Sequence, residues 1–385
     1  MMIYQKKLLA IAILLAFSQL CFSQVDSAIQ GVNTLDTLRN IDSTLTLDEV
    51  MFSDSIARLN EENKILKESQ EAYNMGIDDF GKLNFKNARE HFDQAIELKP
   101  DFTEAYFNRG IVALKLDDPK SAIQDFDKVI DADPNHTDGL FNRAEAFILT
   151  GNYDAAIADY SRLTELQPLS NKPVYLMGEA YFLKGDYNKA IGFFNKSLEI
   201  EQGYANAYND IASSYRKLEN YETALTAQQK GISLDPNREF MVNNLGSIYK
   251  KMGETDKALQ AYSKAIQMNP EYFLAYNNRG SIYLEQENYP NAIKDFSKAI
   301  EINPSYPIAY NNRAIAYYKM KEYEKALADF NKAISLDPNY ATAYLNRGIL
   351  KESQRDREGC CSDWQTATEL GVETAKKFLD VECAQ

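Results

Sequence analysis

Five arginines in this chain, Arg109, Arg143, Arg279, Arg313 and Arg347, are each followed sixteen residues later by an aspartate: Asp125, Asp159, Asp295, Asp329 and Asp363. A guanidinium presents a planar fork of donors that meets a carboxylate at two points, so such a residue either closes an ion pair within the protein or clamps an anionic ligand. Beside these arginines stand asparagine doublets, as in AYNNRGSIY (275–283) and AYNNRAIAY (309–317). An amide donates and accepts at once, so a row of them suits the backbone of an extended peptide. Asparagine costs a helix roughly half a kcal/mol against alanine, and its recurrence in apolar stretches asks for a reason. Other chemistry is thinly supplied. His91 and His136 are the only histidines, and no phosphate loop, nucleophile elbow or metal-ligand spacing occurs. The sequence therefore predicts a non-enzyme with no catalytic residues, no metal and no cofactor.

These side chains need elements to position them, and the chain supplies a ruler. Prolines fall at 100, 134, 168, 236, 270, 304 and 338, a spacing of thirty-four or its double, with Gln202 at the one missed mark. A fixed period of this length signals a repeat architecture of helix-turn-helix units. Placing proline at position 32 gives nine units, from Ser69 to Thr374. Position 8 is always glycine or alanine. Position 20 is alanine in eight units and Cys360 in the ninth, and position 24 is aromatic except at Gln228. Small residues at 8 and 20 let two helices approach, and the ring at 24 fills the space beside them. Asn152, Asp186, Asn220 and Asn288 sit where N-caps of the second helices belong.

This register resembles the tetratricopeptide repeat, over about four fifths of the chain. The resemblance implies an all-α fold, an α-solenoid wound as a right-handed superhelix of about nine 34-residue units. It also implies a concave groove lined by positions 2, 5, 6, 9, 12 and 13 of the first helices, and a protein or extended peptide as partner. On that implication the groove residues are Tyr73, Phe107, Phe141 and Tyr175 at position 5 of units one to four, then Asn209, Asn243, Asn277 and Asn311 in units five to eight. Position 6 adds Asn108, Asn142, Asn244, Asn278, Asn312 and Asn346, with Leu176 and Asp210 breaking the run. An aromatic half and an amide-rich half follow. Two plainer readings stand beside these: the rings pack against adjacent helices, and the position-6 amides are an ordinary family surface. The lysine at position 5 and asparagine at position 9 that relatives use to clamp chaperone tails are both missing.

The arginines sit at position 7 and their aspartates at position 23. The four units without the arginine carry Met75 with His91, Met177 with Phe193, Ile211 with Ala227 and Leu245 with Ala261. Arginine and aspartate are thus present or absent together, which predicts an ion pair between the two helices of one unit, since pairing across units would break the match. Ligand clamping is the competing reading.

The ends remain. Lys6 and Lys7 precede an apolar run from Leu8 to Leu20, too short to span a bilayer comfortably, so residues 1–23 are expected to be a secretory signal and the rest to lie outside the cytosol, periplasmic or secreted, with no stable membrane span. A polar lead is expected over 24–53 and a capping helix over 54–68. A last helix, Val372 to Val381, should close the C-terminal end, with residues 375–385 as its end and tail. Cys361 is the expected disulfide partner of Cys383, with Cys360 as competitor. A net charge of −14 argues against nucleic acid. The function expected is a scaffold that binds proteins in its groove, either alone or as the recruiting subunit of a separately encoded envelope enzyme or secretion machine. Oligomeric state is left open.

Overall fold

The computed structural model describes residues 47–383; the expected signal (1–23), the lead up to residue 46 and the last two residues lie outside them. Every element among the described residues is a helix. The chain divides into two compact units at Glu71 and Ala72.

The first helix, Leu47–Gly81, crosses that division without a break. It begins well before the expected start at Asp54, so the last residues of the expected lead are helical. It also runs through the expected end at residue 68 and becomes the first helix of unit one.

From Ala72 onward the chain is a stack of helical hairpins. First helices open at position 1 and second helices at position 17, as in Thr103–Lys115 with Pro119–Ala132 and Phe273–Glu285 with Tyr289–Ile302. The second helices are started by local chemistry. The side chains of Asp118, Asn152, Asp186 and Asn220 accept from the backbone N–H three residues on, satisfying a donor that has no partner within the helix. Asn288 occupies the same place without such a bond, and Pro290 instead pre-sets the first turn.

The turn before each second helix depends on position 15. Leu83, Asp117, Gly151, Gly185, Glu219, Gly253, Glu287, Lys321 and Arg355 all have φ between 58° and 88°. Glycine adopts this left-handed conformation freely, whereas a side chain there is strained.

Each hairpin closes on its small residues. The alanines at position 20 are completely buried, as is the ring at position 24. A Cβ at Gly280 would lie 2.8 Å from Phe296 Cε1, so the glycine is what admits the ring. Gln228 fills the ring's place in unit five: its Nε2 donates to Asn209 Oδ1 at 3.1 Å and to Met241 O at 2.9 Å. At the C-terminal end, helix Glu373–Glu382 matches the expected cap to within one residue. Cys361 and Cys383 are joined in a disulfide, Cys360 is a buried free thiol, and Phe378 of the cap stacks on Trp364 with centroids 5.1 Å apart.

Candidate functional site

The arginines sit on first helices with their aspartates buried on the second helices of the same units. Arg279 Nε donates to Asp295 Oδ2 at 2.7 Å and Nη2 to Oδ1 at 2.8 Å. Arg109 with Asp125, Arg143 with Asp159, Arg313 with Asp329 and Arg347 with Asp363 repeat this two-point geometry. The hydrogen bonds and charge of Asp295 hold Arg279 charged further above its ordinary range, against the opposing effect of burial.

One consequence escaped the sequence. The remaining nitrogen, Nη1, reaches back to position 25 of the preceding unit: Asp93, Asp127, Ser263, Ser297 and Asn331 accept from Arg109, Arg143, Arg279, Arg313 and Arg347 at 2.6–3.0 Å. Each arginine therefore ties its own hairpin together and ties that hairpin to its neighbour. With Nε and both Nη groups engaged, the forks are not presented to a ligand. Position 25 carried little signal, because Ser161 and Asn195 stand there before units that lack the arginine.

The asparagines need a correction. Asn209, Asn243, Asn277 and Asn311 are buried, Asn277 to 5% exposure, and so is Tyr175; they do not line an open groove. The Nδ2 groups of Asn244, Asn278, Asn312 and Asn346 donate to the Oδ1 atoms of Asn209, Asn243, Asn277 and Asn311 at 2.9–3.0 Å. Position 6 of one unit thus bonds position 5 of the unit before. Asn108 Nδ2 does the same with the hydroxyl of Tyr73 at 2.9 Å, and the Tyr175 hydroxyl donates to Asp210. Where position 5 is Phe107 or Phe141 no acceptor exists. Asn142 then bonds only its own helix, through Asp138 O at 2.8 Å, and Leu176 meets apolar surroundings. Phe107 is half-buried and packs near Phe126 and His136, with centroids 5.9 and 5.3 Å away; Phe141 is half-buried with the Lys172 ammonium 4.0 Å from its ring. The rings chiefly pack, and the amides staple repeat to repeat.

The first helices of units three to five line a cavity of about 390 Å³. Its apolar wall comes from Ile148, Leu176, Phe182, Leu183 and Phe194, and its polar wall from Glu145, Glu179, Asp210 and Ser213. Most of these occupy positions 6, 9, 12 and 13 of the first helices. The Tyr160 hydroxyl, also in the lining, donates to Glu145 Oε1 at 2.5 Å. The Tyr175 hydroxyl lies 3.2 Å from Glu179 Oε1 while also donating to Asp210, and Asn209 Nδ2 donates to Asp210 Oδ1 at 2.9 Å. One hydroxyl proton cannot satisfy two carboxylates. Burial, then the neighbouring charge of Asp210, pushes the Glu179 carboxyl up to about 7, and burial raises Asp210 as well. No lysine or arginine lines the cavity. Sequence reasoning passed over these acids, although Leu176 and Asp210 were the two breaks in the position-6 row and Glu145 and Glu179 are the only acids at position 9.

Comparison with known proteins bears on the fold. Family profiles described as tetratricopeptide repeat or TPR repeat match residues 73–137, 113–177, 246–286, 280–321 and 307–340. A profile described as anaphase-promoting complex, cyclosome, subunit 3 matches 149–231. No curated protein sequence matches. Among solved structures, the APC/C hetero-tetramer Cut9-Hcn1 aligns with a TM-score of 0.54 at 15% identity, over 82% of this chain and 76% of that one. A tetratricopeptide repeat protein from Parabacteroides merdae aligns with a TM-score of 0.52 at 21% identity, over 63% of this chain and 97% of that one. At such identities the likeness speaks for the fold alone. With the thirty-four-residue hairpins, their small-residue register and these matches together, the chain belongs to the tetratricopeptide repeat family.

Proposed function

We propose that this protein is a non-catalytic scaffold that anchors a partner protein through the cavity of units three to five, taking from it an extended segment with a basic side chain. The cavity carries this reading. Its apolar wall fits the aliphatic stem of a lysine or arginine, and its three carboxylates, short of donors and with no lysine or arginine in the lining, fit the charged end. The amide rows are already engaged between repeats, which moves the expected contact away from Asn277 and its equivalents and onto Glu145, Glu179 and Asp210.

The proposed setting is outside the cytosol, in the periplasm or secreted. The Lys6, Lys7 and Leu8–Leu20 leader supports it, and so does the Cys361–Cys383 bond, since such bonds persist in oxidising compartments.

A peptide array tests the function: extended peptides carrying one lysine or arginine among apolar residues, against the same peptides with glutamine, probed with the wild type, Asp210→Asn and Leu176→Asp. Preferential binding of the basic peptides by the wild type, lost in Asp210→Asn and falling with added salt, is expected. Equal binding of basic and glutamine peptides, or binding indifferent to both substitutions, would refute the reading.

A further inference from the structure

Ahead of the repeats, the helix Leu47–Gly81 carries an apolar stripe. Leu59 is 55% exposed and Leu66 51% exposed, although Ala72 and Gly76 of the same helix are buried against unit one. The stripe follows a heptad: Leu59 and Leu66 hold the d register, and Ile56 and Asn63 the a register. Most of the outer register is polar or charged, with Asp54, Arg58, Glu61, Lys64 and Glu68.

We infer that this helix pairs with the same helix of a second copy of the chain, as a parallel two-stranded coiled coil. Three observations commit the stripe to that occupant. Within the seam from Ile56 to Leu66, Asn63 is the one polar residue at a core position, between Leu59 and Leu66, and Gln70 takes the next a position. In a parallel pair a meets a′, so two Asn63 amides bond each other, and a single buried asparagine of this kind selects the dimer and its register. The flanking charges are complementary in that arrangement alone among in-register pairings: Glu62 at g faces Lys67 at e of the partner copy, twice by symmetry. Lys67 has within its own helix only a loose, exposed contact with Glu71 at 3.8 Å, which leaves it free to turn. Finally, the helix runs unbroken into a packed hairpin, so the cost of nucleating it is already met and a short seam suffices.

The test uses the full chain from an export-competent bacterial host. Sedimentation equilibrium of the wild type should return about twice the mass of one purified chain, that mass being read under denaturing conditions. Leu59→Lys should weaken association by about a hundredfold, since it places a charge in the seam, with the helical signal and melting of the repeats unchanged. Glu62→Lys or Lys67→Glu alone should weaken it, and the double exchange should restore it. Asn63→Cys should cross-link between chains on oxidation, while Glu68→Cys, on the outer register, should not. A monomeric wild type, a dimer indifferent to Leu59→Lys, a double exchange that fails to restore association, or cross-linking that favours Glu68→Cys would each overturn the inference.

Discussion

Glutamate 179 offers the sharpest test of the cavity, because a carboxyl held near neutrality makes stability depend on pH in a direction opposite to most acids. Its pKa of about 7 lies above the 4.5 of an unstrained glutamate. Between those values the folded chain holds a proton that the unfolded chain has lost. The stability from this group is therefore complete below pH 4.5 and is lost as pH rises through 7. A shift of this size, at about 1.4 kcal/mol per unit, gives a linked loss of roughly 1 kcal/mol at pH 5.5 and about 3 kcal/mol at pH 8. Glu179→Gln removes the dependence. Its amide donates as the protonated acid does, and it can serve the Tyr175 oxygen, leaving that hydroxyl's proton to Asp210. The variant should therefore exceed the parent in local stability by about 3 kcal/mol at pH 8 and by much less at pH 5.5. A repeat stack unfolds piecewise, so the assay is hydrogen exchange of helix Asn171–Lys184, parent against variant at each pH. A gain equal at both pH values, or a loss at pH 8, would refute the assignment of Glu179 as a buried carboxyl poised to ionise against a basic partner.

The other predictions concern the frame. Asp295→Ala should cost about 3–5 kcal/mol in denaturant unfolding, because it strands a half-buried guanidinium, and far less in an Arg279→Leu background; additive losses would sink the pairing. Glu287→Gly and Lys321→Gly should each raise stability by about 1 kcal/mol, since both side chains occupy the left-handed region, whereas Gly253→Ala should lower the melting temperature; a loss in all three would contradict this account of position 15. Cys361→Ser should cost about 3 kcal/mol through the 22-residue separation it opens. Trp364 is the chain's one tryptophan, is fully buried and is stacked on the cap, so its fluorescence should shift to the red as Glu373–Glu382 loosens; an unmoved emission would show that the cap holds without the bond.

Much of this was legible without coordinates, for reasons that can be named. The proline ruler, the small residues at 8 and 20 and the rings at 24 act inside one hairpin, where contacts follow from spacing along the chain. The Arg279–Asp295 pair was readable because both partners come and go together within a unit. The bond from Asn312 to Asn277 was not, because it joins position 6 of one unit to position 5 of the one before, a separation of 35 that no single unit displays. Its trace was present nonetheless: the amide has no partner at Phe107, and Leu176 replaces it beside Phe141.

The amino-acid sequence by itself determined that this chain is a stack of helical hairpins, since periodic small and large residues admit no other way to bury nine alike units. Tertiary structure decided which polar residues are scaffold and which are site. Asn277 became scaffold because stacking placed an amide donor over its oxygen. Glu145, Glu179 and Asp210, each an isolated exception in its own unit, became a single acidic cavity because the stack brought three first helices side by side with too few donors to satisfy them.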